Sequence, residues 1–188
     1  MDGLADAGTI ELWITSKIPA PQPYQYGIFG LLGTPYGAWW GAPDCDVQLA
    51  WGDMVTGVGF NGWIGFGSAN VSTPGEPTQF YATPGVPFHV ALVWDVHGIA
   101  GTNETIRVYR DGAVVSTATG TWDAGVTPSR PLVLGYGPDD EGYDKFIVDN
   151  LKIWDGAVTD FSHRFEENWP DPVAVERQTW SGIKALYR

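Results

Sequence analysis

With one cysteine, Cys45, among 188 residues, no disulfide can link two parts of this chain, and a cysteine-rich zinc site is excluded on the same count. No lysine, arginine or histidine stands close to it in sequence, so Cys45 reads as a small buried hydrophobe more readily than as a reactive thiol. Positive charge is also scarce. Lys and Arg number 10 against 22 Asp and Glu, a formal net charge of -12 whose field repels nucleic-acid phosphates and anionic lipid surfaces. Nucleic acid is therefore not an expected partner. Histidines number 3 and none is spaced as a ligand pair, which leaves no transition-metal motif. No apolar run approaches the roughly 20 residues of a membrane span, so no membrane insertion is expected. The opening "MDGLADAGTIEL" lacks the basic and apolar parts of a secretory leader, which leaves a soluble chain from which a leader could have been removed.

What the chain does have is Gly (25), Pro (14), Trp (10) and 44% hydrophobic residues, a balance that favours short strands and many turns over helices. Its length suits one core, so residues 1–188 are expected to form one domain. "GTIELWITS" (8–16) alternates Ile10, Leu12 and Ile14 with Glu11, Trp13 and Thr15, the pattern of a half-buried strand. Further strands are expected at 26–33, 46–53, 59–68, 78–83, 88–95, 130–137 and 145–155, with glycines in 59–68 marking a bulge or a close backbone approach. Asp111-Gly112 between "TIRVYR" and "AVVSTA" predicts a tight hairpin. "TDFSHRFEEN" (159–168) offers a short helix that Asp160 could cap. Some ten strands without alternating helices give an all-β, two-sheet antiparallel sandwich or jelly roll with one short C-terminal helix.

Three stretches carry a resemblance: "AGTIELWI" (7–14), "PFHVALVWDVHGIAGTNETIRVYRDGAVV" (87–115) and "FIVDNLKIWDGAVTDFSHRFEEN" (146–168). In that order they resemble the laminin G-like group of the concanavalin A-like lectin and glucanase superfamily, which implies a concanavalin A-like jelly roll. The scaffold hosts sugar binding, adhesion, structural roles and hydrolysis, so fold alone does not choose among them. Members usually carry a strand before the "AGTIELWI" position, and here only six residues precede it. The sheet edge is then left open, completed by another chain, or closed by residues 169–188, read as a C-terminal extension packing as an added strand.

Glucanases on this scaffold set paired carboxylates as E-x-D-x-x-E on one strand, and no such run occurs, so no enzyme is expected. His89 falls where the resemblance has a strand histidine and reads as a satisfied structural residue, while His97 and His163 stand isolated. Asp139, Asp140, Glu141 and Asp144 crowd one loop, either as a solvated acidic turn or as oxygen ligands for a structural calcium ion. Asp149 shares parity with Leu151 and Ile153, is expected to point inward, and would then need backbone donors or a cation. The resemblance implies a structural hydrogen-bonding role for it; Asp139, Asp140, Asp144 and Asp149 are the candidate metal ligands.

Flat aromatic faces suit sugar rings, and loop or outward aromatics are the candidates. Tyr36, Trp39 and Trp40 lie in a loop, where they either meet a ligand or are buried beneath it; Trp51 and Trp63 lie in strands, as core or as a ligand-facing surface. If "AWWGA" is extended, only one of Trp39 and Trp40 can face a ligand. The expected function is a non-catalytic, extracellular or surface-associated module binding carbohydrate or surface glycan. The alternative is an assembly subunit of an extracellular filament, coat or phage particle, self-associating through an open edge or the tail.

Overall fold

β1 (Ala7–Ser16) runs between two partners, hydrogen-bonded on one side to β10 (Phe146–Trp154) and on the other to β6 (Pro87–Asp95). The structure is a computed structural model and describes residues 4–17, 26–32, 45–51, 60–66, 71–74, 82–126, 131–136 and 146–166. The remaining strands are β2 (Tyr26–Leu32), β3 (Cys45–Trp51), β4 (Phe60–Ile64), β5 (Val71–Ser72), β7 (Ile106–Arg110), β8 (Ala113–Ala118) and β9 (Leu132–Tyr136). They form two five-stranded antiparallel sheets, ordered β10-β1-β6-β7-β8 and β5-β4-β3-β2-β9. This is the two-sheet sandwich that the strand pattern predicts. The edge expected beside β1 is not there: β1 is an interior strand, and the first sheet ends at β10 and β8.

Alternation along the strands builds the core. Ile10, Leu12 and Ile14 of β1 and Val90, Leu92 and Trp94 of β6 project onto Val47, Leu49 and Trp51 of β3 and Phe60 and Ile64 of β4, all buried in one cluster. The two sheets approach closely at Gly62. A Cβ there would lie 2.5 Å from Leu92 Cδ1 and 3.0 Å from Val108 Cγ2, so the glycine in β4 marks a close approach across the sandwich. Gly62→Val forces extra methyls into that packed layer and is expected to cost about 1–3 kcal/mol, read as a lower urea midpoint with an unchanged slope.

The Asp111-Gly112 hairpin forms as expected, both residues taking positive φ (51° and 85°) between Arg110 and Ala113, which face each other across the turn. Elsewhere the sequence misleads. Of the strand expected at 78–83, residues 78–81 lie outside the described residues, and Ala82 and Thr83 are not strand; β5 stands earlier. The short helix after β10 is a 3₁₀ turn, Ser162–Phe165, and Asp160 Oδ1 accepts the Ser162 N–H at 2.9 Å just ahead of it.

Candidate functional site

The outward-facing residues of β1 are not left to solvent. Thr9, Glu11 and Trp13 all bind the segment that follows β10 and folds back over the sheet. Thr9 Oγ1 donates to Gly156 O (2.8 Å) and accepts from Val158 N (2.9 Å), and Trp13 Nε1 donates to Arg164 O (2.8 Å). Phe161 closes a second apolar cluster with Ala91, Val93, Ile99 and Tyr109 beneath it. A strand expected to be half-buried is therefore covered on both faces through much of its length.

Glu11, 1% exposed, is the hub of this cover. His89 Nε2 lies 2.8 Å from its Oε2, while His163 Nε2 (3.1 Å) and Trp154 Nε1 (3.0 Å) meet Oε1, and Lys152 Nζ stands 3.9 Å away. An ionised carboxylate only accepts, so both imidazoles present Nε2–H to it. Burial pushes the Glu11 carboxyl up, but the hydrogen bonds from His89 and His163, the attraction of His89 and the bond from Trp154 outweigh it and hold the carboxyl below its ordinary value of 4.5. His89 Nδ1 is buried without a hydrogen-bond partner among the described residues, so the histidine read as satisfied is satisfied on one ring nitrogen only. This cluster joins residues that the sequence leaves apart; opposite charges at Glu11 and Lys152, facing each other across β1 and β10, are the signal that could have found it. It is closed to solvent, and no group of three or more His, Cys, Asp or Glu residues that could hold a metal ion occurs among the described residues.

Two of the candidate site residues in strands, Trp51 and Asp149, are not placed where a ligand-facing surface or an inward metal ligand requires them. Trp51 is 1% exposed and packs among Phe60 (5.8 Å, stacked), Phe88 and Phe146, so it is core and presents nothing to a ligand. Its parity with Val47 and Leu49 is the physical reason. Asp149 is exposed rather than inward, and its Oδ1 accepts the Asn150 N–H at 2.8 Å. The cause is a bulge: between Glu11 and Trp13 on β1, β10 supplies one residue more, with Asn150 at φ 51°. Phase flips there, so Val148 and Ile153 face the core while Asp149 faces outward and Leu151 is exposed.

Trp63 takes the other orientation. Phe60 and Ile64 of β4 are buried in the core, which leaves Asn61 and Trp63 on the outer face of the second sheet. Register sets Val133, Gly30, Gln48, Trp63 and Ser72 in one row across all five strands of that face. Trp63 is half-buried, and its Nε1 is buried without a partner among the described residues, so ring carbon rather than the N–H is what the surface offers. Asn61 Nδ2 donates to Thr73 O, and Gly62 N donates to Thr73 Oγ1 at 2.9 Å, which ties β4 to the chain after β5. Tyr36, Trp39, Trp40, Asp139, Asp140 and Asp144 lie outside the described residues.

Residues 4–161 match a laminin G-type family model described as the concanavalin A-like lectin/glucanases superfamily. No curated protein matches the sequence. Among solved structures, a native heptameric SAP-like pentraxin from Limulus polyphemus is similar with a TM-score of 0.52 at 18% identity, over 81% of this chain and 65% of that one. The receptor binding domain of botulinum neurotoxin C/D mosaic serotype is similar with a TM-score of 0.53 at 12% identity, over 84% and 34%. Domain 4 of AbnA, an extracellular GH43 arabinanase from Geobacillus stearothermophilus, in complex with arabinotriose, gives 0.50 at 20% identity, over 84% and 66%. The chain spans less than two thirds of the length of each, and at these identities the likeness is one of fold.

Proposed function

The chain belongs to the concanavalin A-like lectin/glucanases superfamily, and from that membership we propose that it is a non-catalytic, extracellular or surface-associated recognition module that binds carbohydrate or surface glycan. The observation that carries this reading is Trp63, a half-buried indole on the outer face of the second sheet, flanked on the β5 side by the exposed Ser72 and on the β3 side by the buried Gln48. Tyr36 and one of Trp39 and Trp40 extend the surface in this proposal. Support for the non-catalytic part is the missing E-x-D-x-x-E run and the closure of the Glu11 cluster to solvent. The arabinotriose complex of the arabinanase domain and the receptor binding of the toxin domain are consistent with recognition on this scaffold.

A structural calcium ion held by Asp139, Asp140 and Asp144 belongs to the same reading. Asp149 is a poor fourth ligand, since one of its oxygens already accepts the Asn150 N–H. Calorimetric titration with calcium chloride tests this part by itself.

Retention on a panel of immobilised polysaccharides, arabinan included, tests the main proposal. Trp63→Ala is expected to weaken retention about tenfold, the equivalent of about 1.4 kcal/mol, while the urea midpoint stays near wild type. Of Trp39→Ala and Trp40→Ala, one is expected to lose binding and the other stability. No retention on any gel, with self-association that depends on the tail, would replace this reading with the assembly subunit.

A further inference from the structure

We propose that residues 177–188, "RQTWSGIKALYR", add to the first sheet of the same molecule as a strand along the outer edge of β10. β10 ends its sheet, and among the described residues no strand pairs with its outer side. From Ile147 onward the edge carries Ile147 (53% exposed), Asp149 and Leu151 (37% exposed) in alternation. A long edge with exposed apolar side chains is a template for strand addition, which proteins ordinarily block with a cover or with lysine. Among the described residues, the strand that pairs with β10 is β1, on its opposite side.

The occupant is chosen by position and charge. The chain passes beside β10 at Glu166, whose carbonyl accepts from Lys152 Nζ at 3.0 Å, and Phe165 stands 5.4 Å from Trp13, which is paired with Asp149 across the ladder. Residues 167–176 can span about 35 Å from there, roughly the length of a nine-residue strand. Within 177–188 lie Arg177, Lys184 and Arg188 and no acidic residue, which leaves seven basic residues against 22 acidic ones in the rest of the chain. In a strand, Ile183, Ala185 and Tyr187 share one face and Trp180, Lys184, Leu186 and Arg188 the other. The first set continues the core layer of Val148 and Ile153; the second sets cations and apolar groups beside Asp149 and Ile147. This inference is independent of glycan binding.

Hydrogen exchange on the full chain tests it. The β10 amides that do not bond to β1 are expected to be protected in the wild type. Consecutive residues of an edge strand aim their N–H groups to opposite sides, so of Ile183→Pro and Lys184→Pro only one breaks the new ladder and lowers that protection by about tenfold or more. Equal exchange in both variants and the wild type would overturn the proposal. So would protection that falls on dilution as the mass drops from dimer to monomer, because a second copy would then supply the strand.

Discussion

Glu11→Gln is expected to lower stability by about 3–5 kcal/mol, because Lys152 and two imidazoles then lose the one carboxylate they share below the surface. Urea unfolding measures it. The pH dependence gives the effect its signature. With the folded Glu11 carboxyl held below 4.5, the unfolded chain binds the proton first as pH falls, so the carboxylate's stabilisation is complete above 4.5 and declines as pH drops through the folded value. Glu11→Gln lacks that decline, and its stability curve runs flatter in acid. His163→Gln removes one bond to the carboxylate and is expected to cost about 1–3 kcal/mol. A Glu11→Gln protein within about 1 kcal/mol of wild type at neutral pH would mean that the hub does not hold the returning segment.

Trp51→Ala is expected to cost about 3–5 kcal/mol, the range for deleting a large aromatic from a packed core. Its indole stacks on Phe60 with 21° between planes and touches Phe88 and Phe146, so the side chain bridges both sheets and no neighbour can fill its volume without leaving another ring uncovered. The contrast with Trp63→Ala is diagnostic. Trp51→Ala shifts the denaturation midpoint and, while the protein remains folded, leaves retention on polysaccharide unchanged; Trp63→Ala does the reverse. If both variants lost retention and neither lost stability, the division of the two tryptophans between core and outer face would be wrong.

Strand identity was legible wherever period-two alternation ran unbroken, as in Ile10, Leu12 and Ile14, and wherever the turn chemistry was local, as at Asp111-Gly112. The same alternation assigns Trp51 to the core once it is set beside Val47 and Leu49. Asp149 was not legible, because a single inserted residue in β10 changes the phase of everything after it and no side chain announces the insertion except Asn150 at positive φ. The burial of Glu11 was not legible for a different reason. Alternation says which side of a sheet a residue faces, but not that a segment about 150 residues later returns to cover that side, as the His163 bond to Glu11 does. Of the candidate site, Trp63 could be placed from its strand parity; the carboxylate–imidazole cluster required the topology.

That topology also orders events in time. β1 pairs with β10, so Thr9 must wait for Trp154 before its strand has both neighbours. During synthesis β1 can zip to β6 while one flank remains bare, and closure of the distant pair with β10 is slow because it fixes a loop that holds most of the chain. Until then the nascent sheet exposes an unpaired edge bearing the Glu11 carboxylate and the apolar row of β1, a species prone to join with its neighbours. For this protein, yield on expression is expected to follow how quickly β10 reaches β1.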